Sequence, residues 1–410
     1  MAEPGARART RITVPRVDFD LGAIAVGAIG WFAYELVWRL LAPALGIAER
    51  YDVLVPFNAT QARPAQLDGF DALRREFFQR MFEMVPLPHL DALLHAIGVD
   101  SQILLAPTVE GQPAQQFRLG PDAFGTWQFA VVAAVLFLLW SIVGGALARM
   151  HAVRIARDES LPWDEGYAFA FANLRSFVGA PAFVAVVALL LFGATALAGL
   201  ASTAPAVGPA LQAVLQPLAF VSGLFFTILL AGGVFGLPIL HAAVATERNG
   251  LLDAVSRLYS YVFTRPVAFV AGGVLVFAFG GLLAQFADWF TKLATIDIMN
   301  FGAQRDVATQ RGLAIGYAAA RQFGLPRVPE GSPPISDAAM WVSFAWSALV
   351  NLLVRGFVLS YVVGGFTDLY SHLREEVDGT PRSEVYLGDE PAPELGEPLA
   401  GEPAAPDPAA

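Results

Sequence analysis

The sequence contains no cysteine, which excludes disulfides, thiolate metal sites and cysteine nucleophiles. Charge is scarce as well. Only 15% of residues are Asp, Glu, Lys or Arg, against about 25% in soluble domains. Lys292 is the one lysine, and the arginines are scattered rather than massed, so no nucleic-acid partner is expected. The five histidines (His89, His95, His151, His241, His372) are dispersed, with no pair at metal-ligating helical spacing. No Walker loop, G-x-S-x-G elbow or H-E-x-x-H motif occurs. The expectation is therefore a protein without catalytic residues, cofactor or metal. The formal net charge is −10, but Glu384, Asp389, Glu390, Glu394, Glu397, Glu402 and Asp407 place most of it in 383–410, where no basic residue occurs.

What the chain has instead is apolar length. It is 56% apolar, with a mean hydropathy of +0.54. Six long runs, at 19–43, 124–149, 178–201, 215–243, 266–289 and 339–367, are near or above the ~20 residues that cross a bilayer. Backbone groups in hydrocarbon must bond within their own segment, so each run is read as a helix. The fold class is all-α: a polytopic integral membrane protein of six transmembrane helices. The expected organisation is a basic N-terminus (1–18), a first span (19–43), an extracytoplasmic, partly helical loop (44–123), a membrane core (124–382) and a disordered acidic tail (383–410). The tail's Pro, Glu and Ala cannot bury a core. The first run exceeds the ~7–15 apolar residues of a signal peptide and carries Glu35 and Arg39, which favours a retained anchor over a cleaved one.

Arginine placement sets the expected orientation. Arg7, Arg9, Arg11 and Arg16 precede span one; Arg149, Arg154, Arg157 and Arg175 separate spans two and three; Arg248, Arg257 and Arg265 separate four and five; Arg374 and Arg382 follow six. Basic residues flank cytoplasmic helix ends, so both termini are expected in the cytoplasm. The outer segment 44–123 then holds a one-sided helix (Phe70, Leu73, Phe77, Phe78, Met81) and a shorter one over 90–97, read as a lid rather than a binding domain. A second outer segment, 290–338, has a helical stretch near 310–323.

Two cytoplasmic connections carry helical stripes. Trp163, Tyr167, Ala170, Leu174 and Phe177 recur after Pro162, Asp164 and Glu165, residues suited to a helix start. Leu251, Val255, Leu258, Tyr259 and Val262 recur opposite Asp253, Ser256, Arg257 and Ser260. Each stripe ends before a proline, Pro181 or Pro266, and each follows a His-Ala pair (His151-Ala152, His241-Ala242). The stripes are expected to be amphipathic helices in the headgroup layer. Chance and a parallel internal duplication account equally for the similarity. His151 and His241 are read as favourable groups at helix C-termini, and the pairs Gly144-Gly145, Gly232-Gly233, Gly272-Gly273, Gly280-Gly281 and Gly364-Gly365 as tight helix contacts.

The run Ala245-Thr246-Glu247 with Asp253 through Phe263 and Arg265-Pro266, together with the closing Tyr370 to Thr380 and Glu384-Val385, resembles an uncharacterised family of bacterial six-span membrane proteins. It is distantly similar to the membrane domains attached to some glycerophosphodiesterases. The resemblance covers about residues 150–390. It implies a bacterial inner-membrane location and no known activity, and it carries over no catalytic residue.

One polar constellation stands inside the spans. Ser343, Ser347, Asn351 and Arg355 recur every four residues on one face of span six, with Arg355 near mid-span. Span one contributes Glu35 and Arg39; Gln285 and Asp288 end span five. A charge at bilayer depth costs roughly 2.5–3.5 kcal/mol and turns inward. The cluster is either a substrate path along span six or a structural clasp between Glu35 and Arg355, the latter being favoured. The functional expectation is an envelope scaffold or assembly protein, engaging lipids and protein partners through its interfacial helices and tail. A small-solute or lipid transporter ranks second and a lipid-acting enzyme third.

Overall fold

The computed structural model describes residues 19–44, 127–201, 203–205, 207–292 and 337–387. These form eight helices: α1 (Leu21–Ala44), α2 (Trp127–Arg157), α3 (Trp163–Ala172), α4 (Leu174–Ala201), α5 (Gly208–Glu247), α6 (Leu251–Thr264), α7 (Pro266–Lys292) and α8 (Asp337–Asp378). No strand occurs among the described residues. Six of the helices, all but α3 and α6, are long and apolar enough to cross a membrane, as the hydropathy runs require. The N-terminus 1–18, the expected helices at 70–82, 90–97 and 310–323, and the tail beyond 387 lie outside the described residues.

Spans one, two and six form the packed centre. Their apolar windows are half or more buried, whereas the window at Gly208–Leu229 in α5 is only 6% buried. Helices α1 and α8 meet backbone to backbone. A Cβ on Gly356 would stand 2.5 Å from both the Ala28 nitrogen and the Ile24 oxygen, and one on Gly27 would stand 2.6 Å from the Gly356 oxygen. A Cβ on Gly30 would stand 2.7 Å from the Val143 side chain of α2. Only residues without a side chain let helices meet backbone to backbone. At the N-terminus of α1, Asp20 caps the helix through the amides of Gly22 and Ala23 (2.8 and 3.2 Å) and pairs with Arg154 of α2 at 3.1 Å.

Several of the expected glycine contacts receive neighbouring side chains: Gly145 takes Phe177, Gly232 takes Tyr259, Gly272 takes Leu369 and Gly364 takes His151.

The first connection departs from expectation. The helix does not continue from 161 to a break at Pro181; it breaks at Asn173, and Pro181 lies inside α4. The Asn173 side chain donates to the Phe169 carbonyl at 2.9 Å, the local competition with helical bonding that ends a helix at asparagine. The second connection breaks at Arg265, just before Pro266, as expected. The two connections also pack differently. Helix α3 lies mainly on α2, while α6 lies against α4, α5, α7 and α8. Element order repeats; packing does not. In α3, Gly166 and Ala170 are buried while Trp163 of the expected stripe is 57% exposed. In α6, Ala254, Val255, Leu258 and Tyr261 face inward, and Asp253, Ser256 and Ser260 face outward.

Close contact at Gly356 and open space at Gly193 and Gly223, which have nothing within 4 Å, make a paired prediction. Gly356→Val should destabilise the detergent-purified protein by at least about 1–3 kcal/mol, the range for overpacking. Gly193→Ala and Gly223→Ala should be neutral or stabilising by up to about 1 kcal/mol. Thermal melts of the three variants against wild type measure both.

Candidate functional site

At mid-depth, α1 and α8 hold the charges that the sequence singled out. The Glu35 side chain is 1% exposed and accepts from Arg39 Nε at 2.7 Å. Arg355, at 8% exposure, turns inward and lays its guanidinium carbon 5.3 Å from the centre of the Trp31 ring. Trp31 is one helical turn from Glu35, so Arg355 arrives beside the carboxylate's own helix, next to the Gly356 crossing. Trp31 joins Tyr34 and Trp140 in a cluster of ring contacts at 5.2–5.8 Å. A cation over an indole face in a site without water gains about 2 kcal/mol or more. Asn351 lies half-buried one turn away. Ser343 and Ser347 fall on α8 at the expected spacing, but their side chains lie outside the described residues. Arg355 sits about 22 Å along α8 from Tyr370, fifteen residues at ~1.5 Å each.

The two span histidines prove to be packing elements rather than helix-end charges. Both are buried. His151 Nε2 lies 3.0 Å from the Ser360 hydroxyl, joining α2 to α8. His241 Nδ1 donates to the Leu237 carbonyl at 3.0 Å, and its ring stacks on Phe177.

The denser network lies at one end of the bundle, where α5, α6 and α8 meet. Glu247, at the last turn of α5, accepts from the Tyr370 hydroxyl (2.7 Å) and Asn249 (2.8 Å) and pairs with Arg374 (3.3 Å) and Arg257 (3.0 Å). Arg257 also donates to Asp378 at 2.7 Å, and the Tyr261 hydroxyl donates to the same carboxylate at 2.5 Å. Burial, then the bond to Asp378, pushes the Tyr261 hydroxyl up to about 12, so it remains a neutral donor. Arg265 and His372 both approach Glu376 (3.8 and 3.5 Å), and Arg382 pairs with Asp368.

The chain after α8 completes this end. Gly379 adopts a left-handed φ of 72°, a conformation open to glycine at little cost, and turns the chain back across α5. The Arg374 guanidinium donates to the carbonyls of Pro381 (2.9 Å) and Glu384 (2.5 Å). Val385 is buried, and the Tyr386 amide donates to the Thr246 carbonyl at 2.8 Å. Arg248 reaches the Tyr386 hydroxyl at 2.5 Å and the Asn173 side chain at 3.3 Å. On α2, Arg149 donates to the Ala245 carbonyl at 2.9 Å and covers the Phe169 ring at 4.3 Å. The expected tail boundary at Ser383 is thus too early: residues 383–387 form a strap held by these bonds.

Sequence reasoning did not assemble this end cluster. The signal was present all the same: Glu247, Arg257, Tyr261, Tyr370, Arg374 and Asp378 all belong to two segments that stand out in the sequence, 245–266 and 370–385. Among the described residues no three His, Asp or Glu side chains are grouped to hold a metal ion. What the arrangement does chemically is fix one arrangement of helix ends through paired and hydrogen-bonded charges. Comparison with protein-family models, with curated proteins and with solved structures finds no match to this chain.

Removing one partner of a buried pair strands the other. Glu247→Gln should therefore cost roughly 3 kcal/mol, because Arg374 is almost wholly enclosed. Arg265→Gln, at a long and more exposed pair, should cost under about 1 kcal/mol. Urea or thermal denaturation in detergent tests the ranking; equal losses would remove the end cluster's claim to hold the bundle.

Proposed function

We propose that this chain is a non-enzymatic scaffold or assembly protein of a bacterial inner membrane, with both termini in the cytoplasm. The observation that carries this reading is the backbone contact of Gly27 with Gly356 beside Arg355. Beside Arg355 the polar face of span six borders a crossing where α1 and α8 leave no room for a methyl group. Glu35, Arg39 and Arg355 accordingly serve as a clasp around Trp31 and not as a ligand route. Membership of the six-span family that residues 150–390 resemble belongs to the same proposal.

The orientation rests on the arginines. Arg154, Arg248, Arg257, Arg265, Arg374 and Arg382 all make their contacts at the end of the bundle that holds Asp20 and the strap, and basic ends are cytoplasmic. At that level Trp163, Phe171 and Phe263 are exposed, the aromatic character of a headgroup-layer contact with lipid. The strap fixes where the acidic tail departs, so proteins recruited by the tail are held at the cytoplasmic end of α5. A transporter remains the second reading, favoured by the charged and amide side chains of Arg355 and Asn351 at mid-depth.

Topology is tested in the cysteine-free chain. Cysteine replacing Thr203 should react with an impermeant maleimide in intact cells, and cysteine replacing Ser256 should not; the reverse labelling would invert the protein. Function is tested by Arg355→Ala, Glu35→Ala and the double variant. A clasp predicts similar losses of stability, with the double loss below the sum of the two. Unchanged melting with lost solute or lipid movement in vesicles would establish the transporter instead. For the scaffold itself, a chain ending at Leu387 should keep its melting temperature but lose proteins crosslinked to the full chain in native membranes. An identical crosslinked set would refute recruitment by the tail.

A further inference from the structure

Helix α5 changes character near Leu229. From Gly232 onward it packs on α2, α6 and α8: Gly144 of α2 faces His241, Arg149 of α2 binds the Ala245 carbonyl, and Tyr370 of α8 binds Glu247. Before that point it is exposed along nearly its whole length. There its described polar and ring contacts beyond its own turns are to α4, through Thr195–Ser222 at 2.8 Å and Phe192–Phe226 at 5.8 Å. The outer half of the α4–α5 hairpin is thus an arm attached to the bundle at its base. No Asp, Glu, Lys or Arg occurs between Arg175 and Glu247, so no ion pair ties the arm to the core.

The base of the arm is the weakest stretch of α5. Gly232, Gly233, Gly236 and Pro238 lie within seven residues. Each glycine lowers helix stability by up to about 1 kcal/mol relative to alanine, and Pro238 removes a helical hydrogen bond. Helix α6 fills this notch. Tyr259 lies where a Cβ on Gly232 would stand, Leu258 where one on Gly236 would stand, and the Tyr259 hydroxyl donates to the Leu229 carbonyl at 2.8 Å. Arg257, the residue before these two, is the one that joins Glu247 to Asp378.

We infer that α6 is a lever: the ion pairs of Arg257 with Glu247 and Asp378 set the seat of Leu258 and Tyr259 in the glycine notch, and that seat sets the angle of the arm. A partner or modification that competes for Asp378 at the cytoplasmic end would in this way move a structure on the far side of the membrane. Asp378 ends α8 five residues before the strap, so a pull on the tail reaches this carboxylate through the strap's bonds to Thr246, Arg248 and Arg374. Val214 stands eighteen residues from Gly232, roughly 27 Å along the helix. A tilt of about 10° at the notch therefore displaces it by about 5 Å.

The experiment uses spin labels at Val214→Cys on the arm and Leu36→Cys on α1, in the full-length chain reconstituted in nanodiscs, with distances read by pulsed electron resonance. Arg257→Gln should shift the distance by about 5 Å or double the width of its distribution. Tyr259→Phe, which leaves the ion pairs in place, should broaden it likewise. Asp20→Asn, which opens the α1–α2 contact instead, should leave it unchanged. An unaltered distance in Arg257→Gln overturns the lever, and so does an equal change in Asp20→Asn, which would mean general loosening. Should Arg257→Gln fail to fold, Tyr259→Phe decides: an unchanged distribution there overturns the inference.

Discussion

In an apolar solvent two apolar helices gain nothing by hiding from water, so they need another reason to touch. For α1 and α8 that reason is the pair Gly27 and Gly356, where one backbone lies directly on the other. Much of the centre follows from that contact. Because the backbones are so close, the residue before Gly356 is delivered onto Trp31, and Arg355 finds an indole face in place of lipid. One turn further along α1, Gly30 admits Val143 and brings α2 to the same point. Glycine at a helix interior is intrinsically unfavourable; here the packing it permits offsets that cost.

The end cluster works by a different rule. Arg374 is among the largest fully buried side chains in the structure. Its two terminal nitrogens reach one carboxylate and two carbonyls, all contributed by segments distant in sequence or placed by the turn at Gly379. A buried ion pair adds little net stability over an apolar core, but breaking it is expensive. Such a network therefore excludes alternative arrangements of α5, α6 and α8 more than it strengthens the native one. Between the two levels, the imidazoles of His151 and His241 fill space and bond Ser360 and the Leu237 carbonyl.

The spans were legible because apolar length has one meaning in a chain this poor in charge. The inward turn of Arg355 was legible too, from the cost of exposing it to lipid. The boundaries of the connections were less so. Pro181 signalled a break, yet a proline inside a span is tolerated where its neighbours satisfy the freed carbonyl, and the break moved to Asn173. Gly27 and Gly356 escaped notice because each stands outside the glycine pairs, in a different span, with nothing local to mark its partner. Glu247 and Arg374 are separated by 127 residues, and hydropathy has no term for such a meeting. The strap was missed because Val385, Tyr386 and Leu387 are too short an apolar run to stand out beside the acidic tail, and the groups that hold them, Thr246, Arg248 and Arg374, lie elsewhere in the sequence.

The partnership of the first span with the last has a consequence for how the protein is made. During synthesis α1 enters the bilayer more than three hundred residues before α8 exists. Throughout that interval its glycine face, its buried carboxylate at Glu35 and its ring cluster lack the helix that covers them. The contact between α1 and α8 is thus among the most distant in sequence that the bundle makes. Assembly of the centre waits on α8, and the strap forms only after it. A ribosome that stalls before α8 leaves a membrane protein without its packed centre, an exposed species of the kind that quality-control proteases remove.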